Sequence, residues 1–273
     1  MIIGTRGSEL ALKQVGIFSK KTGLKPEFKI IKTKGDRSGK SLKELGSGIF
    51  TKELDRALLN HEIDLAIHSL KDIPVEIPPE LEILGICERG DPRDCLVSAN
   101  GGLEGLPPGA AVGSDSERRK AELLTLRDDL KVEGIRGNIP TRLEKVDNGN
   151  YDALITAKCA LDRLGLQDRI SQIFEVKEMV PAAGQGAVAV VKRKGDDFDF
   201  MEKDEEFTCC MLEREFIRGL GACRNPVGAY CSFDGKHHLT GLVYRDGKRI
   251  TPEFDGTPQE INKKIEQWKH RFI

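Results

Sequence analysis

The sequence has no excess of charge of either sign. Its 43 lysines and arginines against 44 aspartates and glutamates leave −1 over 273 residues. Such a chain has no global field to draw in nucleic acid or an anionic membrane, and neither is expected as a partner. It has no run of about 18 apolar residues, the length a membrane-crossing helix needs. The first residues lack the basic start and apolar stretch of a secretion signal and pass straight from Met1 into a strand pattern and Arg6, so a cytoplasmic protein is expected. The seven cysteines are odd in number, and no Cys-x-x-Cys or closely spaced His pair of the zinc-binding kind occurs. A closed disulfide set is therefore impossible, no metal is expected, and most thiols read as small buried hydrophobes. Fixed-period repeats and low-complexity tracts are also missing.

What is present is a mixed composition, 38% hydrophobic and 32% charged, of a length that fits two or three domains of ~100–200 residues. Strand patterns at 1–5, 27–33, 63–67 and 81–87 alternate with helical spacing after Ser8 and Thr51, both read as N-caps. Residues 38–48, polar and glycine-rich, read as a mobile loop. After a crossing at 88–94 the alternation restarts, with strands at 110–113, 131–135, 152–157, 173–176 and 187–191. Helices are expected at 116–126, from the cap Asn138, and up to Leu164. Residues 192–206 read as a charged linker with few apolar anchors. A helix at 207–220, strands near 227–233, 239–244 and 249–254, and a helix at 259–272 complete a smaller unit. The expected fold class is α/β: two α/β domains with mixed or parallel sheets, plus a smaller α+β C-terminal domain.

Chemistry enters through the placement of arginines. Arg6 lies two residues before the cap Ser8, and Arg118 and Arg119 fall in the first turn after Ser116. Arg136 lies two residues before the cap Asn138, and Arg142 sits in that helix's first turn. A helix start carries partial positive charge and free N–H groups, so each cation there is disfavoured by ~0.3–1 kcal/mol. Repeated at separate helix starts, the pattern asks for a compensating anion. One candidate is a multiply charged ligand held by guanidinium forks at the carboxyl ends of the strands. The other is a set of surface carboxylates such as Glu9, Asp115, Glu117 or Glu144. Lys71-Asp72 closes a buried strand pattern shortly before Pro74, where α/β folds place functional side chains. A carboxylate among cations suits stabilisation of a positive charge, and on local grounds a turn-capping role is equally open. Cys223 lies in the loop pattern Leu220-Gly221-Ala222-Cys223-Arg224-Asn225-Pro226. With Arg224 favouring the thiolate it could be a nucleophile or an attachment point, or a structural cysteine.

Seven stretches carry a resemblance: IGTRGSELALKQ from Ile3, GIFTKELDRALLNHEIDLAIHSLKDIP from Gly48, ERGDPRDCLVS from Glu88, GSDSERRKAELL from Gly113, IRGNIPTRLEKVDNGNYDALITAKCALDRLGL from Ile135, PAAGQGAVAV from Pro181 and EREFIRGLGACRNPVGAY from Glu213. In this order they resemble the porphobilinogen deaminase family and cover most of the chain to about residue 231. The resemblance implies two domains like periplasmic-binding-protein lobes, 1–88 with 187–203 and 92–181, and a cofactor-bearing domain at 204–273. It implies a monomeric transferase of tetrapyrrole biosynthesis that condenses four porphobilinogen molecules, releasing ammonia, into linear hydroxymethylbilane. The implied cofactor is dipyrromethane, held by a thioether to Cys223, with Asp72 as catalytic residue. Arg6, Arg118, Arg119, Arg136, Arg142 and Arg163 match positions that bind the pyrrole carboxylates, and Ser8, Lys43, Ser69, Lys71, Ser116 and Gln185 match neighbouring contacts. Departures are Lys13 for a common Trp, Ser47 for a common Lys, Arg224-Asn225 for Gln-Val, and Asp115 and Glu117 within GSDSERR, which are expected to face outward. A non-catalytic organic-anion binder and a thiol hydrolase are the alternatives. The first leaves Cys223 without a task, and the second lacks an orienting partner for a histidine such as His68.

Overall fold

A computed structural model describes residues 1–33, 48–221 and 225–272. Lys43, Ser47, Cys223, Arg224 and nearly all of the expected 38–48 loop lie outside the described residues.

The first sheet has the order β2 (Glu27–Ile30), β1 (Ile2–Thr5), β3 (Leu65–Ser69), β10 (Ala187–Arg193), β4 (Leu81–Arg89). β1 runs parallel to β2 and β3, whereas β10 is antiparallel to both of its neighbours. Alternate side chains face opposite sides of a strand, and here both faces are covered. Leu65, Ile67, Val188 and Val190 pack with Val15 and Phe18 of α1 (Glu9–Thr22). Ala66, Ala189 and Val191 pack with Leu54 and Leu58 of α2 (Lys52–Leu59).

The second sheet repeats this plan as β7 (Lys131–Glu133), β6 (Ala111–Gly113), β8 (Ala153–Ala157), β5 (Asp94–Ser98), β9 (Gln172–Ile173), with β5 as the antiparallel member. It carries α3 (Glu117–Leu126), α4 (Ile139–Asp147) and α5 (Lys158–Leu164). Each sheet thus receives its antiparallel strand across a crossing from the other. The third sheet is antiparallel and joins β11 (Val227–Phe233), β12 (His237–Arg245), β13 (Lys248–Ile250) and β14 (Glu253–Gly256). Leu212 and Phe216 of α6 (Glu205–Ile217) and Ile261 and Ile265 of α7 (Pro258–Phe272) form its core with Leu239 and Phe254.

Ser8, Ser116 and Asn138 cap α1, α3 and α4, accepting from Ala11, Arg119 and Thr141 backbone N–H groups. Thr51 makes no such cap: its backbone is already right-handed helical and its hydroxyl faces back to the Gly48 carbonyl. Several strand assignments differ from expectation. β5 shares only Asp94 with the presumed crossing and otherwise fills a stretch where no strand was expected, β2 and β7 end at Ile30 and Glu133, and β3 begins at Leu65 and runs on through His68 to Ser69. β9 is confined to Gln172–Ile173. The expected strand at 249–254 is two strands, because Pro252 has no N–H to continue a ladder. The stretch 192–206 has more apolar anchoring than expected, since Phe198, Phe200 and buried Met201 pack onto Phe18 and its neighbours. The six described cysteines are all free and buried. No described helix is long and apolar enough to cross a membrane.

Candidate active site

Asp72 ends the one-turn 3₁₀ segment Leu70–Asp72 that follows β3. Fully buried Leu70 anchors this turn in the core. Behind it, Arg214 of α6 donates to three successive carbonyls, Ile73 at 3.0 Å, Pro74 at 2.7 Å and Val75 at 3.2 Å. A guanidinium with five fixed donors can hold a bare stretch of backbone in this way. Burial, and then the charge of Arg218, pull its pKa down to about 10, so it remains a cation at neutral pH.

A small cavity opens between the end of β3 and the start of α1, lined by Arg6, Ser8, Gln14, His68, Ser69 and Asp72 among others. Gln14 donates to the Ser69 hydroxyl at 2.8 Å, and the Arg6 guanidinium lies 4.1 Å over the Phe50 ring. His68 Nε2 is buried without a hydrogen-bond partner. Burial, with the nearby charge of Arg6, pushes its pKa to about 4, so the ring is neutral at physiological pH.

Gln185, completely buried, ties the two α/β units together. Its Oε1 accepts from Lys71 Nζ at 3.1 Å and Arg119 Nη2 at 3.2 Å. Its Nε2 donates to Asp94 Oδ1 at 2.9 Å and to the Pro92 carbonyl at 2.7 Å. Asp94 pairs with Arg119 at 2.8 Å and Arg118 at 2.7 Å. Burial alone would raise the Asp94 pKa, but the two guanidiniums and the Gln185 amide outweigh it and hold the carboxyl near 2. Arg118 also donates to the Val180 carbonyl at 2.7 Å and is almost wholly buried. Lys71 keeps an open face to solvent although protein surrounds its ammonium; desolvation and then Arg119 pull its pKa down.

Arg142 completes the patch. Its Nε donates to the Gly137 carbonyl at 2.8 Å, and desolvation followed by the charges of Arg119 and Arg136 lowers its pKa. Arg163 donates to the Gly186 carbonyl at 2.6 Å and so braces a crossing between sheets. Ser116 is engaged as the α3 cap. The expectation that Asp115 faces outward is overturned: its Oδ2 lies 3.2 Å from Arg136 Nε.

The compensating anion foreseen for the helix-start arginines is therefore partly internal. Asp94 serves Arg118 and Arg119, and Asp115 serves Arg136. Sequence reasoning missed Asp94 and Arg214 as parts of the site, and weighed His68 only as the base of a thiol hydrolase. The available signal for Asp94 was a charged residue opening the otherwise apolar run Asp94-Cys95-Leu96-Val97. What remains is a patch in which Arg119 acts on both Lys71 and Arg142, Arg136 acts on Arg142, and Asp72 acts on Lys71 and Arg142. Such a patch suits a ligand with several carboxylates, and an acidic dipyrrole fits that chemistry. Among the described residues no His, Cys, Asp or Glu cluster is arranged to hold a metal ion.

The family model for porphobilinogen deaminase, dipyromethane cofactor binding domain, matches residues 1–200. Porphobilinogen deaminase of Thermus thermophilus is 44% identical over 96% of this chain and 92% of its own length. That of Alkaliphilus metalliredigens is 43% identical over 92% of this chain and 84% of its own. That of Caldicellulosiruptor saccharolyticus is 42% identical over 95% and 94%. Among solved structures, the periplasmic VFT2 domain of Bordetella pertussis BvgS aligns with a TM-score of 0.42 at 15% identity, over 71% of this chain and 82% of that one.

Proposed function

The chain belongs to the porphobilinogen deaminase family, and from that premise we propose which of its residues do the work. The family activity is a transferase reaction of tetrapyrrole biosynthesis that builds hydroxymethylbilane from porphobilinogen with a dipyrromethane cofactor. Each pyrrole carries an acetate and a propionate, so the growing chain gains negative charge with every addition. Arg6, Arg119, Arg136, Arg142 and Lys71 bind those acids, and Ser8, Ser69, Ser116 and Lys43 assist. Arg118, Gln185 and Arg163 hold the binding groups and the crossings in place, as their buried hydrogen bonds suggest. The single observation that carries the reading is the convergence of Asp72 with Lys71, Arg119 and Arg142 at the strand ends of two sheets.

Asp72 is the catalytic residue. Loss of ammonia from porphobilinogen leaves a positive charge on the substrate, and a fixed carboxylate beside it stabilises the transition state that leads there. The same carboxylate accepts and returns protons at the pyrrole nitrogens. The cationic rim binds the substrate's acids and leaves Asp72 to face its developing charge. When bound, the dipyrromethane supplies the first pyrrole carbon onto which substrate is added. Cys223 is its attachment point; it follows α6 in the sequence and lies outside the residues 1–200 that match the family model. The domains are 1–88 with 187–203, 92–181 and 204–273, and the enzyme acts as a cytoplasmic monomer.

Intact-protein mass spectrometry tests the assignment. The wild-type chain carries the mass of two pyrrole units, and Cys223→Ala carries none. Asp72→Ala retains the adduct while turnover falls by ~10²–10³-fold. A fully active wild type without the adduct, or near-normal turnover in Asp72→Ala, overturns it.

A further inference from the structure

Asp115 follows β6 and directly precedes the cap Ser116, and its side chain turns toward the loop that carries Arg136. The ion pair is loose: Oδ2 to Nε is 3.2 Å, with the two side chains 12% and 27% exposed. That oxygen is buried and has no hydrogen-bond partner, so the contact is an attraction of charges without donor alignment. Gly134 makes room for it, since a Cβ there would lie 2.8 Å from Asp115 Oδ1. Arg142 senses the charges of both Asp115 and Asp72, which places Asp115 on the same cationic patch as the catalytic carboxylate. The contrast with Asp94 is informative. Asp94 is fully buried, bonded by two arginines and Gln185, and cannot exchange. Asp115 stands at the rim, itself partly exposed and set against a partly exposed arginine.

We propose that Asp115 is a built-in substitute for a substrate carboxylate, an affinity-setting residue that holds the Arg136 edge of the patch until an incoming pyrrole acid replaces it. This rests on the reading that Arg136 binds the substrate's acids. Substrate binding has to displace or crowd a like charge, so the site binds acids more weakly than its arginine content alone allows. The exchange also keeps Arg136 and Arg142 from repelling each other when no acid is bound.

The test uses the holoenzyme with Asp115→Asn, Asp115→Ala, Arg136→Leu and the double variant Asp115→Asn/Arg136→Leu. Asparagine keeps the size of the side chain and removes its charge, and alanine is the second variant should either fold poorly. The readouts are KM and kcat for porphobilinogen and the calorimetric Kd of citrate, a polycarboxylate probe independent of turnover. Removal of the Asp115 charge lowers KM and the citrate Kd by about three- to tenfold, while kcat stays within about twofold. The gain disappears when Arg136 is already leucine. If Asp115→Asn leaves KM and the citrate Kd unchanged or raises them while Arg136→Leu weakens both, the inference falls and the binding role of Arg136 stands. If Arg136→Leu changes neither, the binding role falls and the inference with it.

Discussion

His68 sits one residue before Ser69 at the end of β3, neutral and with its Nε2 unpartnered. Its pKa of about 4 lies well below the value of ~6.5 for a histidine in an unfolded chain. Above pH ~6.5 neither state is charged and His68 adds no pH dependence. As pH falls through the window from about 6.5 to about 4, the unfolded chain takes up a proton that the folded one refuses, and stability declines. At ~1.4 kcal/mol per unit the loss is on the order of 3 kcal/mol. Urea unfolding near pH 7 and near pH 4.5 checks this. His68→Asn keeps a neutral polar side chain and loses distinctly less stability between the two conditions than the wild type; an equal loss rejects the assignment. At this scale the sequence was half legible. Arg118 and Arg119 announce themselves as cations where a helix disfavours them. Their partner Asp94 lies 25 residues away from Arg119 and on another strand, so no local pattern pointed to it.

Among the elements, α6 does more than cover the third sheet. Glu213, on its inward face, accepts from the backbone N–H groups of Gly184 and Cys231 and pairs with Arg89 of β4 at 2.7 Å. The next residue, Arg214, holds the three carbonyls that follow Asp72. One helix therefore fixes the backbone beside Asp72, the proposed catalytic carboxylate, and ends a few residues before the proposed attachment cysteine in the sequence. Arg214 is a positioning residue on this argument. Arg214→Gln strips most of the donors, and hydrogen bonds from a charged group are each worth ~1.5–3 kcal/mol. The expected outcome is a fall in kcat of about 10–100-fold, from a displaced Asp72, with KM within about threefold because the arginines proposed to bind the acids lie elsewhere. Arg214→Lys restores part of kcat. A KM change with kcat intact would contradict the positioning role. The helix itself was legible from its apolar spacing, as were α1 and α4 from their caps. β5 was not, because a buried Asp at its first position masks the strand, and the break between β13 and β14 depends on a single proline.

At the scale of the whole molecule, two chain crossings decide how the two α/β units face each other. The sequence placed one of them near residue 90 from the restart of the alternation, but the contact between them is a tertiary fact with no local trace. Gly90 donates its N–H to the Gly186 carbonyl at 3.1 Å, and that same carbonyl accepts from Arg163. Gly186 sits at φ +90°, and a Cβ there would lie 2.3 Å from the Gly90 carbonyl oxygen. No side chain fits between the crossings, and their separation sets where Gln185, the residue just before, can reach Lys71 and Arg119. Gly195 provides a control, at φ +86° with open space where a Cβ would stand. Gly195→Ala meets backbone strain alone, ~1–2 kcal/mol, or a few degrees in Tm at ~2–4 °C per kcal/mol. Gly186→Ala adds a backbone collision that only movement of a crossing relieves, and overpacking of this kind costs a further ~1–3 kcal/mol. Its Tm should fall about twice as far as that of Gly195→Ala. Because the relief has to move Gln185, KM for porphobilinogen should rise as well. Equal Tm losses for the two alanines, with KM unchanged in both, would mean that the crossings give way without disturbing the cleft and that the two units are not held in register at this point.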